Sequence, residues 1–208
     1  MRPRLKILFD FDGTLCKVET IPYVASLLGV DRHGVIGAMT RDACVGAAGY
    51  AENLRKRVDM MKDVSVQAFS EALVPGLLRQ GFMSFIRRHP EMCGVVSCNL
   101  DCWCVPVLSG FGVDCRFSKA VVSGGRVAGI ADVLDKTEVV SALHDDGYDV
   151  AFVGDSANDI GAMRMAEHAF LLSNGSLPEE MLDFPCFVTA SEEALVGRLE
   201  TLTDSYLK

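Results

Sequence analysis

Three short apolar runs, each closed by a polar or small residue, punctuate the chain: Leu5 to Phe9 before Asp10, Gly94 to Val96 before Ser97, and Val150 to Val153 before Gly154-Asp155. Runs of this length read as strands buried on both faces, the mark of a parallel sheet. Elsewhere the period lengthens: Val139, Val140 and Leu143, and also Trp103, Val107, Leu108 and Phe111, place apolar residues on one helical face. Strands alternating with helices predict an α/β fold, a Rossmann-like parallel sheet core flanked by helices.

Residues 17–74 follow another pattern. Leu54, Val58 and Met61, then Val66, Phe69 and Leu73, keep helical spacing, and no strand pattern interrupts them. This predicts a small helical cap at 17–74 inserted after the first strand, with 1–16 and 75–208 forming the α/β core. Pro75-Gly76 punctuates the return to the core. Val121-Val122 and Val127 around Ser123-Gly124-Gly125 predict a β-hairpin, because glycines permit the tight turn. Leu195, Leu199 and Leu202 predict a last helix from Glu192.

Composition narrows the function. A chain of 208 residues that is 50% hydrophobic supports one sizeable core with a small insertion. Its 28 acidic side chains outnumber 20 basic ones, giving a formal charge of -8, which opposes nucleic-acid binding because that depends on clustered cations. No stretch approaches the roughly 18 apolar residues of a membrane span, and Asp10 cuts the first run too early for a signal peptide. A soluble, cytoplasmic protein acting on a small molecule is expected. The eight cysteines read as reduced thiols in apolar surroundings, and Cys98, Cys102 and Cys104 lack the paired spacing of a zinc site. The histidines at 33, 89, 144 and 168 show no ligand spacing.

In open parallel sheets, ligands bind beyond the carboxyl ends of the strands, where each of the three runs delivers a polar group. Asp10 and Asp12 would project from one face if the first strand persists, with Gly13-Thr14 turning the chain away. Ser97 closes the second run and Asp155 the third, and Asp159 can reach back from the following helix. Carboxylates gathered so closely raise one another's pKa unless a cation sits among them, and oxygen ligands suit Mg2+. Such an ion favours a phosphate substrate attacked by a carboxylate. Lys136 offers a helix-borne cation for the same pocket.

Four segments resemble the motifs of the haloacid dehalogenase-like phosphatases: Phe9-Asp10-Phe11-Asp12-Gly13-Thr14-Leu15, then Ser97, then Lys136, then Gly154-Asp155 through Asp159. The resemblance implies Asp10 as the nucleophile that forms an aspartyl-phosphate and Asp12 as the proton donor and acceptor. Ser97 and Lys136 would hold phosphoryl oxygens. Mg2+ would be bound by Asp10, the backbone carbonyl of Asp12 and Asp155, supported by Asp159 and Asn158. Within the family the chain is most similar to the phosphoserine phosphatase branch. Glu19 stands where that branch keeps a glutamate for the substrate ammonium, and Arg57, in Leu54-Arg55-Lys56-Arg57-Val58, where it keeps an arginine for the carboxylate.

The sequence also departs from that branch. Cys98 and Asn99 replace the two glycines that usually follow the motif-two serine, and Cys44 and Tyr50 stand where Met and Phe are common. Asn99 and Tyr50 are therefore added to the substrate-binding candidates. The activity implied is a Mg2+-dependent phosphomonoester hydrolase acting on a small phosphorylated metabolite, phosphoserine first. A phosphotransferase would use the same catalytic residues. A switch domain phosphorylated on aspartate is disfavoured by the long helical stretch between the first two motifs.

Overall fold

The computed structural model describes residues 4–46, 49–173, 175 and 182–207. Its centre is a seven-stranded sheet. The strands are β1 (Arg4–Phe9), β2 (Cys93–Leu100), β3 (Asp114–Ser123), β4 (Arg126–Asp132), β5 (Tyr148–Gly154), β6 (His168–Leu172) and β7 (Cys186–Thr189), in the spatial order β4-β3-β2-β1-β5-β6-β7. All pairs are parallel except β3 with β4. β1 is central: Ile7 pairs with Cys93 on one side and Ala151 on the other. Its neighbour β2 is buried at every position, as expected for a strand covered on both faces.

One sheet face carries a cluster that includes Ile7, Phe9, Phe82, Phe85, Leu195 and Leu199, the last four from α5 (Gln80–Arg88) and α9 (Glu192–Leu207). The other face packs Leu8, Val96 and Phe152 against Val139, Val140 and Leu143 of α7 (Lys136–Asp145) and Ala162 and Met163 of α8 (Ile160–Met165).

Between β1 and α5 the chain forms α1 (Thr20–Leu27), α2 (Val35–Cys44), α3 (Tyr50–Met60) and α4 (Val66–Ala72). Leu54, Val58, Met61, Phe69 and Leu73 are all buried, so the helical spacing read from the sequence corresponds to an inward face. Ser65 caps α4, accepting from the Ala68 N–H at 3.0 Å. Phe69 stacks on Trp103 of α6 (Asp101–Leu108), with ring centroids 4.1 Å apart and planes 6° from parallel. The β3–β4 hairpin turns at Gly124 and Gly125, with φ of 57° and 72°, and Val66 N–H donates to the Gly125 carbonyl at 2.9 Å. The four helices are thus tied to the sheet at the α4 end.

Several elements differ from the sequence reading. β2 runs past Ser97 to Leu100, with a register shift against β3 between those residues. β3 begins at Asp114, well before the hairpin, while β6 and β7 extend the sheet beyond β5. α6 ends at Leu108, so Phe111 packs from beyond the helix. Among the described residues, no helix is long and apolar enough to cross a membrane. All eight cysteines are free, four buried and four half-buried.

Candidate active site

β1 stops at Phe9, and the strand expected to carry both aspartates does not persist. Residues Phe11–Leu15 form a tight turn in which Asp12 is extended (φ -66°, ψ 134°) and Gly13 has φ 71°. Only glycine serves there, since a Cβ would also run into the Asp155 carboxylate. Arg79 pins the turn from outside, donating from Nε to the Thr14 carbonyl at 3.0 Å and from Nη2 to the Gly13 carbonyl at 3.4 Å. Asp10 and Asp12 reach the same cleft through this turn and not through strand alternation.

Beneath the cleft lies a compact charge cluster. Lys136, the first residue of α7, donates from Nζ to Asp10 Oδ1 at 2.7 Å and to Asp159 Oδ1 at 2.6 Å, with all three side chains buried. Asp159 Oδ2 accepts the backbone N–H groups of Asp155 and Ser156, each at 3.1 Å, closing the loop after β5. Thr14 Oγ1 donates to Asp155 Oδ1 at 2.9 Å. Oxygens of Asp10, Asp155 and Asp159 lie within 4.8 Å of one another.

Burial pushes the Asp10 carboxyl well above the usual carboxylate range; Lys136 pulls against this, and Asp159 and Asp155 push further. Burial also raises Asp155, helped by Asp159 and Glu19. For Lys136, burial opposes the charge but Asp10 and Asp159 outweigh it, so its pKa is raised. Three acidic groups facing one ammonium make a site short of positive charge, and an all-oxygen donor set fits a hard divalent cation. Asp159 has both oxygens engaged by protein donors, which makes it the member most occupied with holding its neighbours.

Above the cluster, a narrow cleft is lined by Asp10, Asp12, Ser97 and Asn99 from the sheet side and by Glu19, Cys44, Tyr50 and Arg57 from the helical side. Burial raises Glu19 to about 8, with Asp12 and Asp10 adding to the rise and Arg57 opposing it. Cys44 Sγ donates to Glu19 Oε1 at 3.6 Å. On α3, the spacing that buries Leu54 and Val58 also turns Arg57 inward, leaving it 3% exposed. Its Nη1 donates to Thr40 Oγ1 at 3.1 Å, whereas Nε and Nη2 have no partner among the described residues. The Arg57 guanidinium carbon lies 5.8 Å from the Tyr50 ring centroid.

The structure therefore brings Asp10, Asp12, Glu19, Tyr50, Arg57, Ser97 and Asn99 to one cleft, with Lys136, Asp155 and Asp159 beneath it. Thr20 and Thr40 escaped the sequence reading. Thr20 N–H donates to Asp12 Oδ1 at 2.7 Å, and no spacing signal separates such a threonine from an ordinary helix start.

The family model for haloacid dehalogenase-like hydrolases matches residues 7–164, a span that holds the whole charge cluster. The chain belongs to the haloacid dehalogenase-like hydrolases. Among its relatives, the phosphoserine phosphatase of Methanocaldococcus jannaschii is 27% identical over 175 residues, covering 77% of this chain and 81% of that protein. That of Halobacterium salinarum is 27% identical over 215 residues, covering 93% and 95%. A substrate-bound phosphoserine phosphatase structure superposes with a TM-score of 0.78 at 24% identity, covering 95% of this chain and 99% of that one, which establishes a shared fold. This haloacid dehalogenase-like enzyme is thus related to phosphoserine phosphatases.

Proposed function

We propose that the enzyme is a Mg2+-dependent phosphomonoester hydrolase for a small phosphorylated metabolite, with O-phosphoserine as the first candidate. The observation that carries this reading is one cleft with two complementary ends: the Asp10 carboxylate at its floor, and on the facing side buried Arg57 with two unpartnered donors. Asp10 attacks phosphorus and forms an aspartyl-phosphate while the P–O bond to the alcohol breaks, and Asp12 gives the leaving oxygen its proton. Asp12 then takes a proton from water as that water attacks the aspartyl-phosphate, which releases phosphate and restores Asp10. Ser97 and Lys136 hold phosphoryl oxygens. Asp10 and Asp155, with the Asp12 carbonyl, would hold Mg2+, and Asp159 would orient them; the ion supplies charge neutralisation for the phosphate.

On the helical side, Arg57 offers its free donors to a carboxylate and Glu19 meets an ammonium, a pairing suited to an amino-acid phosphate. Residues 17–74 act as a cap over the core formed by 1–16 and 75–208. Eight free thiols fit a reducing cytoplasm.

A screen of phosphorylated metabolites with Mg2+, repeated with a chelator and with the Asp10→Asn variant, tests the reading. Free phosphate is expected from O-phosphoserine, and both chelation and the nearly isosteric amide should abolish it. Turnover retained by Asp10→Asn would move the nucleophile elsewhere. Phosphate appearing on an added alcohol, at the expense of free phosphate, would make the enzyme a phosphotransferase.

A further inference from the structure

Asn99 lines the cleft, yet its polar atoms are engaged within the protein. Its Oδ1 accepts from the Leu100 N–H at 2.7 Å, and its Nδ2 donates to Asp12 Oδ2 at 2.9 Å and to Thr20 Oγ1 at 2.6 Å. The reverse orientation of the amide would set its oxygen against the Asp12 carboxylate, so these partners fix which end is which. The residue is 4% exposed, and its own N–H donates to Ser97 Oγ at 3.2 Å. The register shift between Ser97 and Leu100 interrupts regular pairing here, a device that re-aims a side chain.

Asp12 is consequently gripped from two directions. Oδ1 accepts from the N–H of Thr20, the first residue of α1, while Oδ2 accepts from the amide of Asn99 on β2. A second Asn99 bond, to the Thr20 hydroxyl, closes the triangle. Rotation of the Asp12 carboxyl would break at least one charge-assisted hydrogen bond, and each oxygen keeps a further lone pair for proton transfer.

We propose that Asn99 is a positioning residue that acts through Asp12, fixing the carboxyl in the orientation that delivers a proton to the leaving oxygen and tying it to the start of the helical segment. This rests on the reading of Asp12 as proton donor. A glycine at this position would leave Asp12 Oδ2 without its donor, a serine would fall short of it, and an aspartate would set a second carboxylate against the first. Asn99 thus governs the chemical step and is not a ligand of the substrate head group.

The test compares two probes of similar size, benzyl phosphate and p-nitrophenyl phosphate, whose leaving groups differ in their need for a proton. Single-turnover release is followed in wild type, Asn99→Gly, Asn99→Ala, Thr20→Val and Asp12→Ala, with folding checked by circular dichroism. Loss of the Asn99 amide should slow benzyl alcohol release by about 10 to 100-fold, a part of the full general-acid effect, with KM little changed. Nitrophenolate, which departs without a proton, should be slowed far less. Thr20→Val, which retains the backbone donor, should show the same selectivity in milder form and serves as the probe should the Asn99 variants fail to fold. Equal slowing of both probes by the Asn99 variants would overturn the proposal and make Asn99 a structural residue. A raised KM with an unchanged single-turnover rate would make it a substrate ligand. Equal slowing of both probes by Asp12→Ala itself would instead remove Asp12 from proton donation, and the proposal with it.

Discussion

The two walls of the cleft are built on opposite terms. On the sheet side, Asp10, Asp155, Asp159 and Lys136 sit at strand ends or helix starts, bonded to one another, to backbone amides or, for the Asp155 carboxylate, to the Thr14 hydroxyl, so their geometry is fixed before anything binds. On the helical side, Arg57 is buried with two donors unmatched, and Glu19 is pushed up to about 8. The first wall resembles a finished mechanism and the second an incomplete complex. Under the proposed reaction, the chemistry, which requires orientation, falls to the wall already bonded within itself. Recognition falls to the helical wall, where Arg57 keeps donors for a ligand carboxylate.

The sharpest way to break this contrast is Lys136→Met. Removing the cation bonded to Asp10 and Asp159 leaves buried carboxylates uncompensated, which should lower stability by about 3–5 kcal/mol in urea denaturation and abolish turnover. Mg2+ should return part of the stability. A variant as stable as wild type would show that the sheet wall is not held by its charge network.

Arg57→Met should behave in the opposite sense. The KM for O-phosphoserine is expected to rise about 10 to 100-fold, the worth of a charge-assisted bond, while p-nitrophenyl phosphate, which has no carboxylate, shifts by less than about 3-fold. The ligand-free protein should gain about 1 kcal/mol, because unmatched buried donors are removed. Equal KM changes for both substrates would take Arg57 out of carboxylate recognition.

The smallest effect concerns pH. Glu19 keeps its proton up to about 8 in the folded state, against 4.5 in an unfolded chain, so the folded state loses stability as pH rises between those values. Burial of Asp10 and Asp155 works in the same direction. With chelator present, the melting temperature should fall across this window, and Glu19→Gln should make the decline shallower. An identical slope in the variant would place the titration elsewhere.

Much of this was readable from residues alone, for identifiable reasons. β1, β2 and β5 are central parallel strands, so burial on both faces leaves uninterrupted apolar runs that end where the ligand edge begins. β3 was harder to see because it is mostly exposed or half-buried and alternates with charged residues. β7 is an edge strand of only four residues following Pro185, and its apolar run, Cys186 to Val188, is too short to stand out. β6 carries a plain run, Ala169 to Leu172, but so close behind α8 that it merges with the helical pattern. The inward turn of Arg57 follows from its spacing with Leu54 and Val58, which separates it from exposed Arg55 and Lys56. The Asn99 contacts could not be read this way, since its partners Asp12 and Thr20 lie 87 and 79 residues away.

The stack of Trp103 on Phe69 has a spectroscopic consequence. Trp103 is the sole tryptophan of the chain, and it sits at the seam where α4 meets α6. Its emission therefore reports on that seam alone, undiluted by other indoles, and a blue-shifted band that reddens would signal water entering between the rings. The enzyme carries its own dye at the joint between its helical and sheet halves, available without labelling.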